Sequence, residues 1–162
     1  MAVVALGANL GDSTRTIRAA MDELAKLSAS PLLSSSLWRS APVDCPAGSP
    51  DFINAVVAIV PLAMETPETL LAKLHDIERK FGRERRGILN EARALDLDLI
   101  AFGGEQRNSP AITLPHPRAH LRAFVLYPLA EILPKFQAPG WTATAGLLTA
   151  ALPDDQVTER LA

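Results

Sequence analysis

The sequence predicts an α+β fold in which helices pack on an antiparallel sheet. The first observation is the order of the patterned segments, which runs strand, helix, strand, strand, helix, strand. The second is that only an irregular loop separates the two middle strands, which favours antiparallel pairing between them. This order is typical of a ferredoxin-like βαββαβ core with its helices on one face of the sheet. We expect a single domain over residues 1–162, with a C-terminal extension after the core.

The first strand and the first helix are joined by a turn that two glycines bracket. The segment VVALG predicts the strand, and the turn occupies residues 7–11. The turn contains neither G-x-G-x-x-G nor Gly-Lys-Ser/Thr, so we interpret it as a tight strand-to-helix connection, and the alternative is a ligand-facing role. The helix is expected to begin near Asp12 or Ser13, because apolar residues recur at helical spacing after them. Its apolar face consists of Ile17, Met21, Leu24 and Leu27.

The middle of the chain predicts two paired strands and the clearest helix. The strands are expected at 32–40 and 52–62, on either side of a loop whose prolines and glycine prevent regular structure. Thr66 is a suitable N-cap for the helix, Pro67 occupies its first turn and Gly82 ends it. The apolar face of this helix consists of Leu70, Leu71, Leu74, Ile77 and Phe81.

The last part of the chain predicts a strand at 94–102, then a proline-punctuated loop and a short helix. The segment LPHPRAHLRAFVLYPLAEILP supplies the loop and the helix. The pattern of the C-terminal segment is ambiguous and favours a helix around 143–151 and a terminal strand.

The composition is that of an ordinary globular protein. Apolar residues make up 48% of the chain and charged residues 21%, which excludes a disordered class. The net charge of −2 gives the whole molecule no basic surface for nucleic acid or membranes. The single cysteine, Cys45, excludes an internal disulfide, and no apolar run approaches the ~20 residues that span a bilayer. With no signal-peptide pattern either, we expect a cytoplasmic monomer without nucleic-acid or membrane partners.

Two aspartates interrupt the apolar run of the strand 94–102. Because side chains alternate along a strand, Asp96 and Asp98 point to one face and the neighbouring leucines to the other. Their Cβ atoms should lie roughly 6–7 Å apart, near enough for both carboxylates to bind one hard cation or bridge two. A magnesium-bound nucleotide would remove their repulsion and their desolvation penalty. The alternative is an edge strand with a solvated polar face.

A basic cluster precedes this strand. It consists of Arg79, Lys80, Arg83, Arg85, Arg86 and Arg93. Guanidinium groups bind phosphate oxygens in pairs of hydrogen bonds, and an irregular loop is able to close over a bound polyphosphate. The alternative, a solvated basic loop, is weakened because the aspartate strand follows immediately.

Two histidines add further candidates. His75 and Glu78 lie three residues apart on the polar face of the second helix, near the end that leads to the basic loop. His116 lies between two prolines in a stiff turn that suits a ligand contact, and Arg122 follows six residues later. Each of these residues is also compatible with an ordinary surface position.

Five segments occur in a specific order: ALGANLGD, SLWRSAPV with DFINAVV, ERKFGRERR, ARALDLDLIAFGG and LPHPRAHLRAFVLYPLAEILP. Together they resemble the 6-hydroxymethyl-7,8-dihydropterin pyrophosphokinase (HPPK) family of the folate pathway, over about residues 3 to 134. The resemblance implies that ATP gives its terminal diphosphate to the hydroxymethyl oxygen of the pterin and leaves as AMP. It also implies two Mg²⁺ ions and two small-molecule substrates.

The resemblance implies roles for the residues that match the family's motifs. Asp96 and Asp98 match its metal-binding aspartates, and Arg83 and Arg93 match arginines that contact phosphate during transfer. The ATP-binding positions are His75, Glu78, Arg85, Arg86, Leu99, Thr113, His116 and Arg122. The pterin-binding positions are Ser40, Ala41, Pro42, Val43, Phe52, Asn54 and Phe124, with the two phenylalanines on either side of the ring.

Two departures from the family pattern affect the substrate loops. Asp44 stands where the family often has glycine, and the run 90–92 replaces one that often contains tryptophan or proline. Closure of the arginine loop is therefore expected to differ in detail.

The sequence alone leaves two alternative functions. Another Mg²⁺-dependent nucleotidyl or phosphoryl transferase would also use paired aspartates, but would leave the pterin positions without a ligand. An RNA-binding domain of the RRM type would place aromatic and basic residues, not aspartates, on the central strands.

Overall fold

The computed structural model describes residues 1–42, 47–82 and 94–161. The core elements are β1 (Ala2–Ala8), α1 (Ser13–Ala25), β2 (Leu33–Ser34), β3 (Trp38–Ser40), β4 (Phe52–Ile59), α2 (Pro67–Lys80) and β5 (Asp96–Phe102). A ribbon of β6 (Arg107–Asn108) and β7 (Thr113–Leu114) follows, then a 3-10 turn (Ala119–Leu121), α3 (Ala123–Ile132), α4 (Ala145–Ala150) and β8 (Thr158–Arg160). The predicted α+β class is confirmed, and so are the C-terminal helix and strand.

The main sheet is antiparallel and has the strand order β5-β1-β4-β3-β8, with β2 also paired to β4. In this order β1 lies between β4 and β5, as in a ferredoxin-like sheet. The C-terminal extension adds β8 beside β3. Among the described strands, β5 has a free edge whose outer backbone groups are available to other partners.

Helices cover both faces of the sheet and form two apolar cores. Helices α1 and α2 pack on one face, where Leu24 and Leu74 are fully buried. Helices α3 and α4 pack on the other face, where Leu126 and Leu129 are fully buried. The βαββαβ pattern predicts the first layer only. The second layer consists of α3 and α4, which follow the βαββαβ core in the chain and are not predicted by its pattern.

The two core helices begin as their sequences predict. Asp12 accepts a hydrogen bond from the backbone of Arg15 at 3.2 Å and caps α1. Thr66 and Thr69 form a reciprocal capping box at the start of α2, which satisfies two backbone N–H groups that a helix start leaves without partners. Gly82 follows the end of α2 with a φ of +79°, a conformation that favours glycine.

The strand predicted at 32–40 is wrong as a continuous element, because the chain divides into β2 and β3 at Ser35. The Ser35 N–H donates to the carbonyl of Val56 at 2.9 Å, and the Ser35 hydroxyl accepts from the Val56 N–H at 2.9 Å. A side chain thus replaces one backbone partner of the ladder, as serine hydroxyls commonly do where strands are interrupted. Pairing with the strand predicted at 52–62 is confirmed, although that strand ends at Ile59.

Glu131 of α3 links the chain between β2 and β3 to the second helical layer. Its carboxylate accepts from the Ser36 N–H at 3.0 Å, the Ser36 hydroxyl at 2.5 Å and the Trp38 indole N–H at 2.9 Å. Trp38 also stacks on Tyr127, with ring centroids 5.6 Å apart. Partial burial raises the pKa of the Glu131 carboxyl, but the hydrogen bonds from Ser36 and Trp38 outweigh burial and hold it below its usual value.

Replacing Glu131 by glutamine is expected to destabilise the protein at pH 7 by about 1 kcal/mol, a value discounted for solvent exposure. A carboxyl with a lowered folded pKa stabilises the fold above its unfolded pKa, and this contribution is lost as the pH falls. The difference between wild type and E131Q in urea unfolding should therefore shrink towards pH 3.5. Glu159→Gln, which removes an exposed ion pair with Arg39, is the matched control. An equal difference at both pH values would contradict the charge argument.

Candidate active site

Strand β5 presents two carboxylates on one face and leucines on the other. Asp96 and Asp98 are partly exposed, whereas the leucines that alternate with them are at most 5% exposed and pack in the core under α1 and α2. Asp98 lies opposite Ala5 of β1, which belongs to the core on the α3 side of the sheet. Both carboxylates thus face that side, with the alternation that the sequence predicts.

A cavity of about 340 Å³ lies along the free edge of β5. Helix α2 forms one wall, and the chain from Ala111 to Arg122 supplies the other. The cavity brings together all the described residues that the resemblance assigns to ATP or metal. These residues are His75, Glu78, Asp96, Asp98, Leu99, Thr113, His116 and Arg122. The remaining lining residues are Leu71, Leu97, Ala111, Ile112 and Arg118.

Glu78 and Leu99 reach the cavity in ways that the sequence does not predict. Glu78 is 3% exposed, so it is no surface residue, and its carboxylate accepts from the outward N–H of Leu97 at 2.8 Å. This bond fixes the edge strand against α2. The side chain of Leu99 is 5% exposed and packs in the core, so what this residue offers a ligand is its edge-strand backbone.

Two arginines, Arg118 and Arg122, line the cavity from the segment after β7. Burial and the charge of Arg118 lower the pKa of Arg122, while Asp98 and Asp96 raise it. The Arg122 guanidinium also lies over the ring of Phe124, 5.4 Å from its centroid. Arg118 is the chemically significant lining residue that sequence reasoning missed. The available signal was its positive charge, two residues after His116 in the same proline-rich segment.

His116 is held in one protonation state by its neighbours. Its backbone N–H donates to the Ile100 carbonyl at 2.9 Å, which attaches the loop to β5. Its ring Nδ1 accepts from the Arg118 backbone N–H at 3.2 Å, so the ring proton lies on Nε2. Burial first, and then the charges of Arg122 and Arg118, lower the pKa of His116 from 6.5 to about 4. Near neutral pH the His116 ring is therefore uncharged and able to donate a hydrogen bond through Nε2.

An NMR titration of the ligand-free protein is expected to give His116 a midpoint near pH 4. Because the unfolded chain binds more protons at this site between pH 4 and 6.5, the group makes the fold less stable as the pH falls through that window. The NMR signal that is missing in the variant His116→Gln is the signal of His116. A midpoint at or above pH 6 would show that the ring is not shielded from water as its burial implies.

The residues assigned to the pterin lie on the other side of Asp96. Asn54 is 4% exposed, and its amide Nδ2 donates to the Ser40 hydroxyl at 2.7 Å. Phe52 precedes it by two residues on β4 and therefore shares its face. Phe124 at the start of α3 is partly buried against the second core. None of these residues lines the cavity, and Asn54 is separated from Asp96 by the width of β1 at Gly7.

The start of the loop between β3 and β4 is anchored by the C-terminal extension. The Ala41 N–H donates to the carbonyl of Val157 at 3.3 Å, just before β8 pairs with β3. Pro42 is the last residue described on this side of the loop. The predicted site residues Val43, Arg83, Arg85, Arg86 and Arg93 lie outside the described residues, as do Asp44 and 90–92.

Within 1–42, 47–82 and 94–161, no group of three or more His, Cys, Asp or Glu side chains is arranged to hold a metal ion. In the same residues, no helix is both long and apolar enough to cross a membrane.

A family model described as 7,8-dihydro-6-hydroxymethylpterin-pyrophosphokinase (HPPK) matches residues 3–134. The chain is 41% identical over 139 residues to 2-amino-4-hydroxy-6-hydroxymethyldihydropteridine pyrophosphokinase of Synechocystis sp., covering 85% of this chain and 69% of that protein. It is 39% identical over 149 residues to the protein of the same name from Pseudomonas aeruginosa, covering 91% and 89%.

The fold also resembles that of solved structures. The structure of wild-type Plasmodium falciparum HPPK-DHPS with pteroate matches at a TM-score of 0.70 and 13% identity, covering 93% of this chain. Because this chain spans only 42% of that longer chain, the likeness concerns one part of it and shows the fold alone.

Proposed function

The chain belongs to the HPPK family, and on that basis we propose how its residues divide the family's reaction among them. The enzyme transfers the β,γ-diphosphate of ATP to the hydroxymethyl group of 6-hydroxymethyl-7,8-dihydropterin in folate biosynthesis and releases AMP. ATP is the co-substrate. The assignment of individual residues to ATP, metal and pterin is the proposal.

One observation carries the nucleotide assignment: a single cavity contains every described residue that sequence reasoning assigned to ATP or metal. We place the nucleotide along the free edge of β5, with the backbone of Leu99 and Thr113 beside the adenine. The triphosphate then lies between the aspartates and the basic wall of Arg118 and Arg122. A neutral His116 donates through Nε2 to a phosphate oxygen, and the arginines of the undescribed segment contribute further phosphate contacts.

The aspartate pair fits magnesium by the chemistry of its donors. Carboxylate oxygens are hard ligands, and Mg²⁺ typically takes one or two of them while keeping water and substrate phosphates. Two carboxylates on one face, without a third protein ligand among the described residues, match that preference. Asp96 and Asp98 would hold the Mg²⁺, of which two ions are expected. When bound, Mg²⁺ neutralises the triphosphate and makes the β-phosphorus more electrophilic.

The pterin slot is assigned to the neighbouring part of the sheet. Asn54 offers a buried amide to the polar edge of the ring, and Phe52 and Phe124 offer apolar faces to the two sides of the ring. Ser40 orients the Asn54 amide through its hydroxyl and leads into the backbone contacts of Ala41 and Pro42. In this proposal the hydroxymethyl arm of the pterin points towards the aspartates.

Catalysis by these residues consists of alignment and charge neutralisation, since the reaction needs an in-line approach of oxygen to phosphorus. The pterin hydroxyl oxygen attacks the β-phosphorus, the bond from that phosphorus to the α-phosphate oxygen breaks, and AMP departs. Asp98 accepts the hydroxyl proton. Arg122 lies over the Phe124 ring and interacts electrostatically with both aspartates, and it stabilises charge on the transferring group.

The test of the function is AMP formation from purified protein, ATP, MgCl₂ and 6-hydroxymethyl-7,8-dihydropterin. AMP and pterin diphosphate should appear in equal amounts, and neither should form without the pterin. Formation of ADP, or AMP release that is independent of the pterin, would instead support another Mg²⁺-dependent phosphoryl or nucleotidyl transferase.

A further inference from the structure

Gly7 lies between the two halves of the candidate active site. In the register of the sheet it is opposite Asn54 on β4 and opposite Asp96 on β5. Directly opposed residues on neighbouring strands point to the same face. The missing side chain of Gly7 therefore leaves a gap between the pterin-assigned amide and a metal-assigned carboxylate. These two flanking strands are roughly 10 Å apart, about the length of a two-ring heterocycle with a one-carbon arm.

Neither backbone conformation nor packing requires a glycine at this position. Gly7 is not among the glycines with a positive φ. A Cβ built on it would lie 3.4 Å from Asn54 Oδ1 and 3.7 Å from Phe52 Cδ1, which are ordinary van der Waals distances. Glycine inside a strand costs about 0.5–1 kcal/mol relative to alanine. The fold by itself would therefore favour alanine over glycine here.

The atom nearest to a methyl group at residue 7 would be Asn54 Oδ1. Asn54 Nδ2 is used by Ser40, and within the described part of the chain no donor is bonded to Asn54 Oδ1. Oδ1 is thus the amide atom left for a ligand donor. A methyl group on residue 7, 3.4 Å away, would occupy the approach to it.

We infer that Gly7 is a specificity-determining residue: its bare backbone sets the depth of the pterin slot and keeps Asn54 Oδ1 accessible to the ring. The inference rests on the proposed pterin assignment and extends it to a residue that has no side chain to contact the ligand. It explains a glycine in a strand where the fold gains nothing from one.

The test compares Gly7→Ala with wild type in three separate measurements. We expect an unchanged or raised Tm, unchanged affinity for Mg²⁺ and a non-hydrolysable ATP analogue, and a Kd for 6-hydroxymethyl-7,8-dihydropterin raised at least ten-fold. Gly7→Val should raise that Kd further. Gly104→Ala is the matched control, because Gly104 has open space around it and follows the opposite end of β5 from Asp96.

Three results would overturn the inference. Wild-type pterin affinity in a stable Gly7→Ala protein would show that the slot does not reach residue 7. A lowered Tm with equal loss of pterin and nucleotide binding would show that the glycine is structural. Failure of the wild type to bind the pterin at all would refute the proposed function itself, and is distinguishable because it does not depend on the variant.

Discussion

Replacing Asp96 by alanine is expected to lower kcat by about 10³-fold or more in a protein that still folds. Asp96 is partly exposed on an edge strand, and its removal leaves no cavity in either apolar core. What is lost is one of the two carboxylates proposed to hold Mg²⁺ against the triphosphate. The measurement is the initial rate of AMP formation at saturating substrates, with thermal unfolding as the check on folding.

Asp98→Asn removes the negative charge of the second carboxylate and keeps the shape of its side chain. It should also lower kcat strongly, and at high Mg²⁺ the nucleotide should still bind, because an amide oxygen remains a weak ligand. Lost turnover with nucleotide and metal bound would support Asp98 as the proton acceptor. The matched control is Asp22→Asn, an exposed carboxylate of α1 outside the cavity, whose kcat should stay within about two-fold of wild type. Turnover of Asp96→Ala close to wild type would contradict the metal assignment.

Replacing Asn54 by alanine should raise the Kd for the pterin about 10²-fold and leave nucleotide affinity unchanged. A site that hydrogen-bonds a ligand through a buried amide loses about 3 kcal/mol when the amide is removed, because the polar edge of the ligand is then buried without a partner. Removing the partner of the Ser40 hydroxyl should also cost about 1 kcal/mol of unfolding free energy. Isothermal titration with each substrate separately measures the two affinities.

Ser40→Ala is a milder change with which the pterin affinity of Asn54→Ala is compared. It removes the bond that orients the amide but leaves the amide itself, so the loss of pterin affinity should be intermediate. An equal loss of pterin and nucleotide affinity in Asn54→Ala would mean that the residue supports the sheet and does not contact the ring. Wild-type pterin affinity in a folded Asn54→Ala protein would remove Asn54 from the slot.

Local patterns predicted most of the secondary structure. The capping residues of α1 and α2, their apolar faces and the alternation of β5 all depend on residues within a few positions of one another. The break at Ser35 could not be predicted in this way. It depends on Val56, 21 residues away, and on Glu131, which belongs to α3 in the second helical layer.

The candidate site shows the same division. Strand periodicity predicted that Asp96 and Asp98 share one face of the sheet. The sequence predicted Glu78 to be on the polar face of its helix, whereas the structure buries it against the free edge of β5. Arg118 was missed because one arginine in a loop carries no spacing signal. The arginines expected to close over ATP lie outside the described residues, so their role stays a prediction.

The sequence by itself determined the class of fold, the start of α1, the limits of α2, the common direction of the two aspartates and the family to which the chain is similar. Only the tertiary structure decided that the second face of the sheet is covered by α3, that His116 is neutral and that Gly7 lies between Asn54 and Asp96. The physical reason is the range of the interactions. Hydrogen-bond caps and side-chain periodicity act within one element, whereas burial, strand register and the field of neighbouring charges arise only when distant segments meet.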